Sequence, residues 1–248
     1  MATAAIRALS ELPAGHPCFG CDARKVAICG VLENRELALF RCMGGTAYLQ
    51  EGQPLFHEGD AASQVFNITK GALKLYKLLP DGRRQIMGFM FPGDFLGITI
   101  DDEHAFSAEA LESTQACRFP RQRFDEFVES RPAMERELYR LAAHELAAAQ
   151  SQMVLLGRKS ASERLATFFL DLLARREKMS GKTHAHVDLP MSRSDIADYL
   201  GLTKETVSRV LAQLKSKRLI RLAALNRIEV LDRDALQALA EGMGADAH

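Results

Sequence analysis

Residues 191–220 read MSRSDIADYLGLTKETVSRVLAQLKSKRLI, and their punctuation decides the fold of the C-terminal part of the chain. Ser192 is placed to cap a helix running through Ile196, Ala197 and Leu200. Gly201 ends that helix, Leu202 is expected to be buried in the turn, and Thr203 caps a second helix. The second helix turns Val207, Val210, Leu211 and Leu214 inward, and its opposite face carries Lys204, Glu205, Ser208 and Arg209. Two short helices around a Gly-containing turn are a helix-turn-helix. Arg can bond guanine O6 and N7 together, Glu can accept from cytosine N4, and Ser is versatile. Each of these residues alone would pass as ordinary surface; the constellation points to double-stranded DNA as the partner. Lys215, Lys217 and Arg218 suit phosphates or solvent. Leu219–Leu222 and Ile228–Leu231 have the pattern of two strands of a wing.

Charge supports this reading only once it is mapped. The 248 residues hold 32 basic and 32 acidic side chains, and a net charge of zero argues against a nucleic-acid binder. Residues 1–158 carry a net charge of −3, residues 159–223 a net of +6 and residues 224–248 a net of −3. The middle segment has the size and sign of a small nucleic-acid-binding module, although charge alone also fits a solvated surface.

Working outward, Ser160 and Ser162 lead into a helix over Ala161–Lys178 with Leu165, Phe168, Phe169, Leu172 and Leu173 on one side, broken by Gly181. His184–Leu189 reads as an extended segment ending at Pro190. Upstream, Pro132 opens a long helix to about Leu156 without internal Gly or Pro. Along it Tyr139, Ala142, Leu146, Ala149, Met153 and Leu156 recur at spacings of three and four, a seam suited to a second copy of the helix or to the chain's own core. Between Ala47 and Phe119, regular Gly, Pro and Asp punctuation separates short strands such as Val65–Ile68, Leu73–Tyr76 and Gln85–Phe89. That pattern predicts a sandwich or small barrel, and Pro80-Asp81-Gly82 a tight turn.

Composition excludes several classes. Hydrophobic residues at 47% and charged residues at 26% describe a globular chain rather than a disordered one. No stretch is long and apolar enough for a membrane helix, and Met1–Leu12 lacks a signal-peptide core. A cytoplasmic protein is expected, in which the five cysteines are metal ligands, redox centres or buried small residues rather than disulfides. No paired-His metal motif, phosphate loop or Gly-x-Ser-x-Gly occurs, so no enzyme is expected.

Several stretches together resemble the CRP/FNR-type bacterial transcription regulators over nearly the whole chain. They are GALKLY from Gly71, PDGRRQ from Pro80, PGDFLG from Pro92, MVLLG from Met153, ASERL from Ala161 and the helix-turn-helix itself. More narrowly the chain is similar to the FnrN/FixK branch. The resemblance implies an α+β fold with four parts. These are a Cys-rich arm over residues 1–33, a jelly-roll, cupin-like sensor barrel over 34–130, a dimerisation helix over 131–158 and a winged helix-turn-helix over 159–248. It implies a homodimer that works with RNA polymerase, and a palindrome with TTGAT half-sites read by Glu205, Ser208 and Arg209. Lys204 departs from the family, where an apolar residue or an Arg is common, and leaves the outer base open. In enteric FNR the dimer seam carries an acidic residue where this chain has Ala149. Without that like-charge penalty the dimer is expected to persist when no cofactor is bound.

Three signals compete for the barrel. A cyclic nucleotide needs a cation for its phosphate, yet no Lys or Arg lies between Arg84 and Arg118, so none is expected. An iron–sulfur cluster fits Cys18-x2-Cys21-x7-Cys29, three thiols in one arm. The resemblance supplies a fourth ligand, Cys117, for a [4Fe–4S] cluster, and leaves Cys42 as a buried spare. Structural zinc on the same four thiolates is the alternative metal. A FixK-like regulator with no cofactor is the third reading. Haem is not favoured, because His57 and His104 are isolated and read as surface or capping residues.

Overall fold

The computed structural model describes residues 16–224 and 226–243, so residues 1–15 of the arm and the last five residues lie outside what is described below. The described chain divides into two compact units. One comprises the residues up to Lys77 together with Met87–Glu145, and the other comprises Leu78–Ile86 with the residues from Leu146 on.

In the first unit, two 3-10 turns, Asp22–Lys25 and Ile28–Val31, lead to helix α1, Asn34–Cys42. The strands are β1 (Gly45–Leu49), β2 (Pro54–Phe56), β3 (Gln64–Lys70), β4 (Leu73–Leu78), β5 (Arg84–Met90), β6 (Phe95–Leu96), β7 (Ser107–Ala110) and β8 (Thr114–Pro120). They form two four-stranded sheets, ordered β1-β8-β3-β6 and β2-β7-β4-β5. This is the jelly roll, with Phe56, Phe66, Ile68, Leu73, Met90 and Leu96 packed as one buried cluster. Helices α2 (Arg121–Glu129) and α3 (Pro132–Arg158) follow β8.

A second core ties the arm down. Ile28 and Leu32 of the arm join Phe40, Phe119, Phe124 and Met134, and Cys18, Cys29 and Cys117 pack against the same cluster. The arm runs so close to the loop before β6 that a Cβ on Gly93, where φ is +99°, would lie 2.4 Å from Val26 Cγ2. Only glycine satisfies that conformation and that approach at once.

In the second unit, Ser160 and Glu163 form a reciprocal capping box that starts α4, Ala161–Ser180, and Gly181 closes it in the left-handed conformation. Then come β9 (His186–Asp188), α5 (Arg193–Leu200), α6 (Lys204–Ser216), β10 (Ile220–Ala224), β11 (Arg227–Val230) and α7 (Arg233–Ala240). The wing is a three-stranded sheet in the order β10-β11-β9. Leu165, Phe169, Leu173, Ile196, Val207 and Leu236 are fully or almost fully buried. Each contributes about 1.5–3 kcal/mol of apolar burial. The α+β architecture of jelly roll, long helix and winged helix-turn-helix is therefore the one the sequence implied.

Four details differ from the sequence reading. Cys42 is exposed, because it closes the last turn of α1 beyond the buried Leu37, Ala38 and Phe40. His104 is no surface residue: it is 4% exposed and stacked on the Phe56 ring at 3.6 Å. Two backbone bonds, His104 N–H to Asp60 O and Gly59 N–H to His104 O, hold it there. Burial lowers its pKa. Leu202 is half-buried rather than buried, since the turn leaves one side of it open. Helices α1, α2 and α7 were not anticipated.

Candidate DNA interface and cysteine site

Local chemistry builds the helix-turn-helix. The Ser192 hydroxyl accepts from Asp195 N–H at 3.1 Å, and the Asp195 carboxylate accepts from Ser192 N–H at 3.0 Å, which fixes the first turn of α5. Gly201 ends α5 at φ +62°, and Leu202 N–H reaches back to Ala197 O at 3.0 Å, the six-to-one bond of a Schellman motif. Thr203 Oγ1 accepts from Thr206 N–H at 3.2 Å and opens α6. Val207, Val210, Leu211 and Leu214 are buried. That face turns inward and leaves Lys204, Glu205 and Arg209 exposed, with Ser208 half-buried. Arg193 Nη1 approaches Ser208 Oγ at 3.5 Å, so a third cation, besides Lys204 and Arg209, stands beside the proposed reading face.

Longer-range contacts fix α5 inside this unit. Arg84, from the Leu78–Ile86 segment, donates to Asp195 at 2.8 Å and to Asp198 at 2.9 Å. Gln85 adds a bond to Asp198 O at 2.8 Å. At the other end of α5, Arg164 donates to Leu200 O and Leu156 O, both at 2.8 Å, and to Lys159 O at 2.9 Å. One guanidinium thereby satisfies carbonyls at the ends of two helices. Gln152 of α3 donates to Tyr199 O at 3.0 Å. The sequence showed no partner for either arginine; the Arg84 pairing spans more than a hundred residues and has no local signal.

The proposed dimer seam is apolar and open in the single chain. Tyr139 is 79% exposed, Leu146 61% and Met153 71%, Ala142 and Ala149 are also exposed, and Leu156 is half-buried. Val154, 57% exposed, adds to the stripe and had escaped the heptad pattern. Glu137 and Arg140 pair on its flank at 2.8 Å.

The cysteines divide as four and one. Burial chiefly, and then the neighbouring Cys18, Cys117 and Cys21, push Cys29 up to about 12. Burial likewise pushes Cys117 up to about 11, with Cys18 and Cys21 adding to the rise and Arg41 opposing it. Burial raises Cys18 as well, against Arg41. Four thiols from the arm and β8 are therefore electrostatic neighbours, and Cys42 contributes to none of these shifts. Among the described residues no three His, Cys, Asp or Glu side chains converge as ligands of a single metal ion. The donor set is four sulfurs, and Arg41, bonded to Thr46 opposite Cys117, has its Nε buried without a hydrogen-bond partner. Four thiols are a donor set that fits the thiolate shell of a cluster, and the same set fits structural zinc.

In the barrel, Lys74 lies opposite Glu109 in the β4–β7 ladder and pairs with it at 2.9 Å. No helix of the described residues is long and apolar enough to cross a membrane.

Residues 163–239 match the Crp-like helix-turn-helix domain, and residues 46–131 match the cyclic nucleotide-binding domain. The chain is 43% identical over 228 residues to the nitrogen fixation regulation protein FixK of Bradyrhizobium diazoefficiens, covering 92% of this chain and 95% of that one. It is 42% identical over 220 residues to the transcriptional activatory protein AadR of Rhodopseudomonas palustris, covering 89% and 91%. The solved structure of FixK2 from Bradyrhizobium japonicum superposes with a TM-score of 0.73 at 36% identity, covering 83% of this chain and 99% of that one. These relatives are regulators, not enzymes.

Proposed function

Because this chain belongs to the CRP/FNR family of DNA-binding transcription regulators, we propose that it is an oxygen-responsive member that holds a [4Fe–4S] cluster on Cys18, Cys21, Cys29 and Cys117. The observation that supports the reading is that the arm thiols Cys18, Cys21 and Cys29 neighbour Cys117, distant in sequence, with Cys42 left outside. When bound, such a cluster supplies sensitivity to oxygen.

The chain's own residues would do the rest. Deprotonated Cys18, Cys21 and Cys29 would tie the arm to Cys117 on β8. Ile28 and Leu32 of the arm share a core with Met134, and Leu138 and Leu141 pack on that core from the first turns of α3. The state of the arm thus bears on the base of the helix whose open stripe, Tyr139, Ala142, Leu146, Ala149, Met153 and Leu156, pairs with a second copy. In the homodimer two α6 helices enter adjacent major grooves about one turn apart. Arg209, Glu205 and Ser208 read a palindrome like the FNR box, Lys204 contacts its outer base or a phosphate, and RNA polymerase is the further partner. With Ala149 in the seam, oxygen control acts on orientation rather than on association; a clean monomer on gel filtration of cluster-free protein at micromolar concentration would contradict this. The barrel takes no cyclic nucleotide in this reading: the window from Arg84 to Arg118 holds no further cation, and Lys74 is already engaged by Glu109.

Anaerobic purification with iron and sulfide assays tests the proposal. About four irons per chain, with a visible absorbance lost in air, are expected. Colourless, iron-free protein that binds its palindrome fully overturns it. That result would leave the second reading, a FixK-like regulator without cofactor, which the 43% identity to FixK favours.

A further inference from the structure

Arg41 stands in the last turn of α1 and spends two of its three nitrogens locally: Nη1 donates to Gly44 O at 3.2 Å and Nη2 to Thr46 Oγ1 at 2.6 Å. Thr46 is the residue directly opposite Cys117 in the β1–β8 ladder. Residues so opposed project from the same face of the sheet, with Cβ atoms about 4.5–5.5 Å apart. The fork is thus anchored to the immediate neighbour of a proposed ligand. The remaining nitrogen, Nε, is buried with no hydrogen-bond partner, and no carboxylate among the described residues pairs with Arg41. Cys18 and Cys29 of the arm pack against the same buried cluster as Cys117. A half-buried cation without an anion, holding a spare N–H and anchored to the cross-strand neighbour of Cys117, is an arrangement that lacks only negative charge on that sulfur.

We propose that Arg41 is the counter-ion on the Cys117 side of the cysteine site, supplying its fixed charge and its unpaired Nε–H to the sulfur that Cys117 presents once deprotonated and ligating. This rests on the cluster reading above. Hydrogen bonds and charge around ligating sulfur set cluster stability and potential, which makes Arg41 a positioning and tuning residue rather than a ligand. Arginine suits the task because its guanidinium stays charged and can bond two local acceptors while a third N–H points elsewhere.

The test compares wild type, Arg41→Met and Arg41→Lys as full chains purified without oxygen. It reads iron and sulfide content, the rate of iron loss to a chelator, and the decay of visible absorbance in air. Arg41→Met should lose iron about 10–100-fold faster than wild type, the usual effect of removing a partner of a metal ligand. Arg41→Lys, which keeps the charge and loses the fork, should recover part of that loss, and it serves as the readout where the Met variant fails to fold. Equal iron content and equal decay rates in all three proteins overturn the role of Arg41 alone. So does an equal loss in both variants accompanied by an equal drop in the melting temperature of the metal-free proteins, because Arg41 then acts only as a clamp on Gly44 and Thr46. Absence of iron from the wild type itself removes the cluster reading, and this proposal with it.

Discussion

The residues of α6 proposed to read DNA stand on the first two turns of one helix, capped by a hydroxyl of the chain just before it. The four thiols come from the arm and from β8, and three of them, Cys18, Cys29 and Cys117, pack on a core built from six elements of the chain. The first site is fixed by neighbours in sequence and by arginines on backbone carbonyls and carboxylates. The second depends on a short arm lying down correctly. A DNA-reading surface gains from rigidity, because base contacts tolerate little error. A sensing site gains from parts that can separate, because only a bistable element can carry a signal.

The largest expected effect tests how much of that rigidity is side-chain work. Arg84→Met removes the guanidinium that Asp195 and Asp198 share. Stability should fall by about 3 kcal/mol, the low end for breaking a buried pair, since Arg84 keeps some solvent exposure. Urea titration followed through DNA binding reads it; an unchanged midpoint would mean the helix caps suffice. The cysteine side should show its softness in reactivity. In metal-free protein at pH 8, Cys117, held at about 11 against an ordinary 9.0, should be alkylated roughly 100-fold more slowly than a thiol at the ordinary value. Mass spectrometry of timed quenches, with exposed Cys42 as the internal reference, measures this. Equal rates would show that the arm does not stay docked. The sign of the linked stability follows: folded Cys29 and Cys117 keep protons that the unfolded chain gives up, so metal-free protein should lose stability as pH rises from 9.0 towards 12.

Next, Arg209→Ala should lose about 1–3 kcal/mol of discrimination at one guanine of each half-site, scored by binding to single-base variants. Unchanged base preference rejects it as a reader. The smallest effect concerns Arg218, which follows α6 at φ +57° with Leu219 N–H bonded to Leu214 O at 3.0 Å. Glycine is the ordinary residue there, so Arg218→Gly should raise stability by about 0.5–1 kcal/mol in a thermal melt while weakening DNA binding if Arg218 touches phosphate.

Legibility followed the same divide. The helix-turn-helix was readable because Ser192, Gly201 and Thr203 punctuate it within a few residues and the apolar period is unbroken. The strands of the barrel were readable from turn residues, but their pairing order was not. His104 was misjudged because its burial comes from pairing with Asp60 and stacking on Phe56, neither of which leaves a periodic trace. Cys42 was misjudged because an isolated thiol defaults to the core, and α1 itself had gone unnoticed although Glu33 and Glu36 box its start. Arg84 and Arg164 stand in the PDGRRQ and ASERL stretches that carried the resemblance, yet their partners, like those of Arg41, are acceptors that only the fold assembles.

The excursion of Leu78–Ile86 into the DNA-binding unit has a practical edge. A fragment begun at Leu146 would look complete by sequence, yet it would arrive without Arg84 and Gln85 and leave the nearly buried Asp195 short of its cation. Grafting this reading head onto another sensor would therefore require transplanting a second, distant snippet of chain along with it. The portable piece is two segments long, and an exchange of C-terminal sequence alone would move an incomplete part.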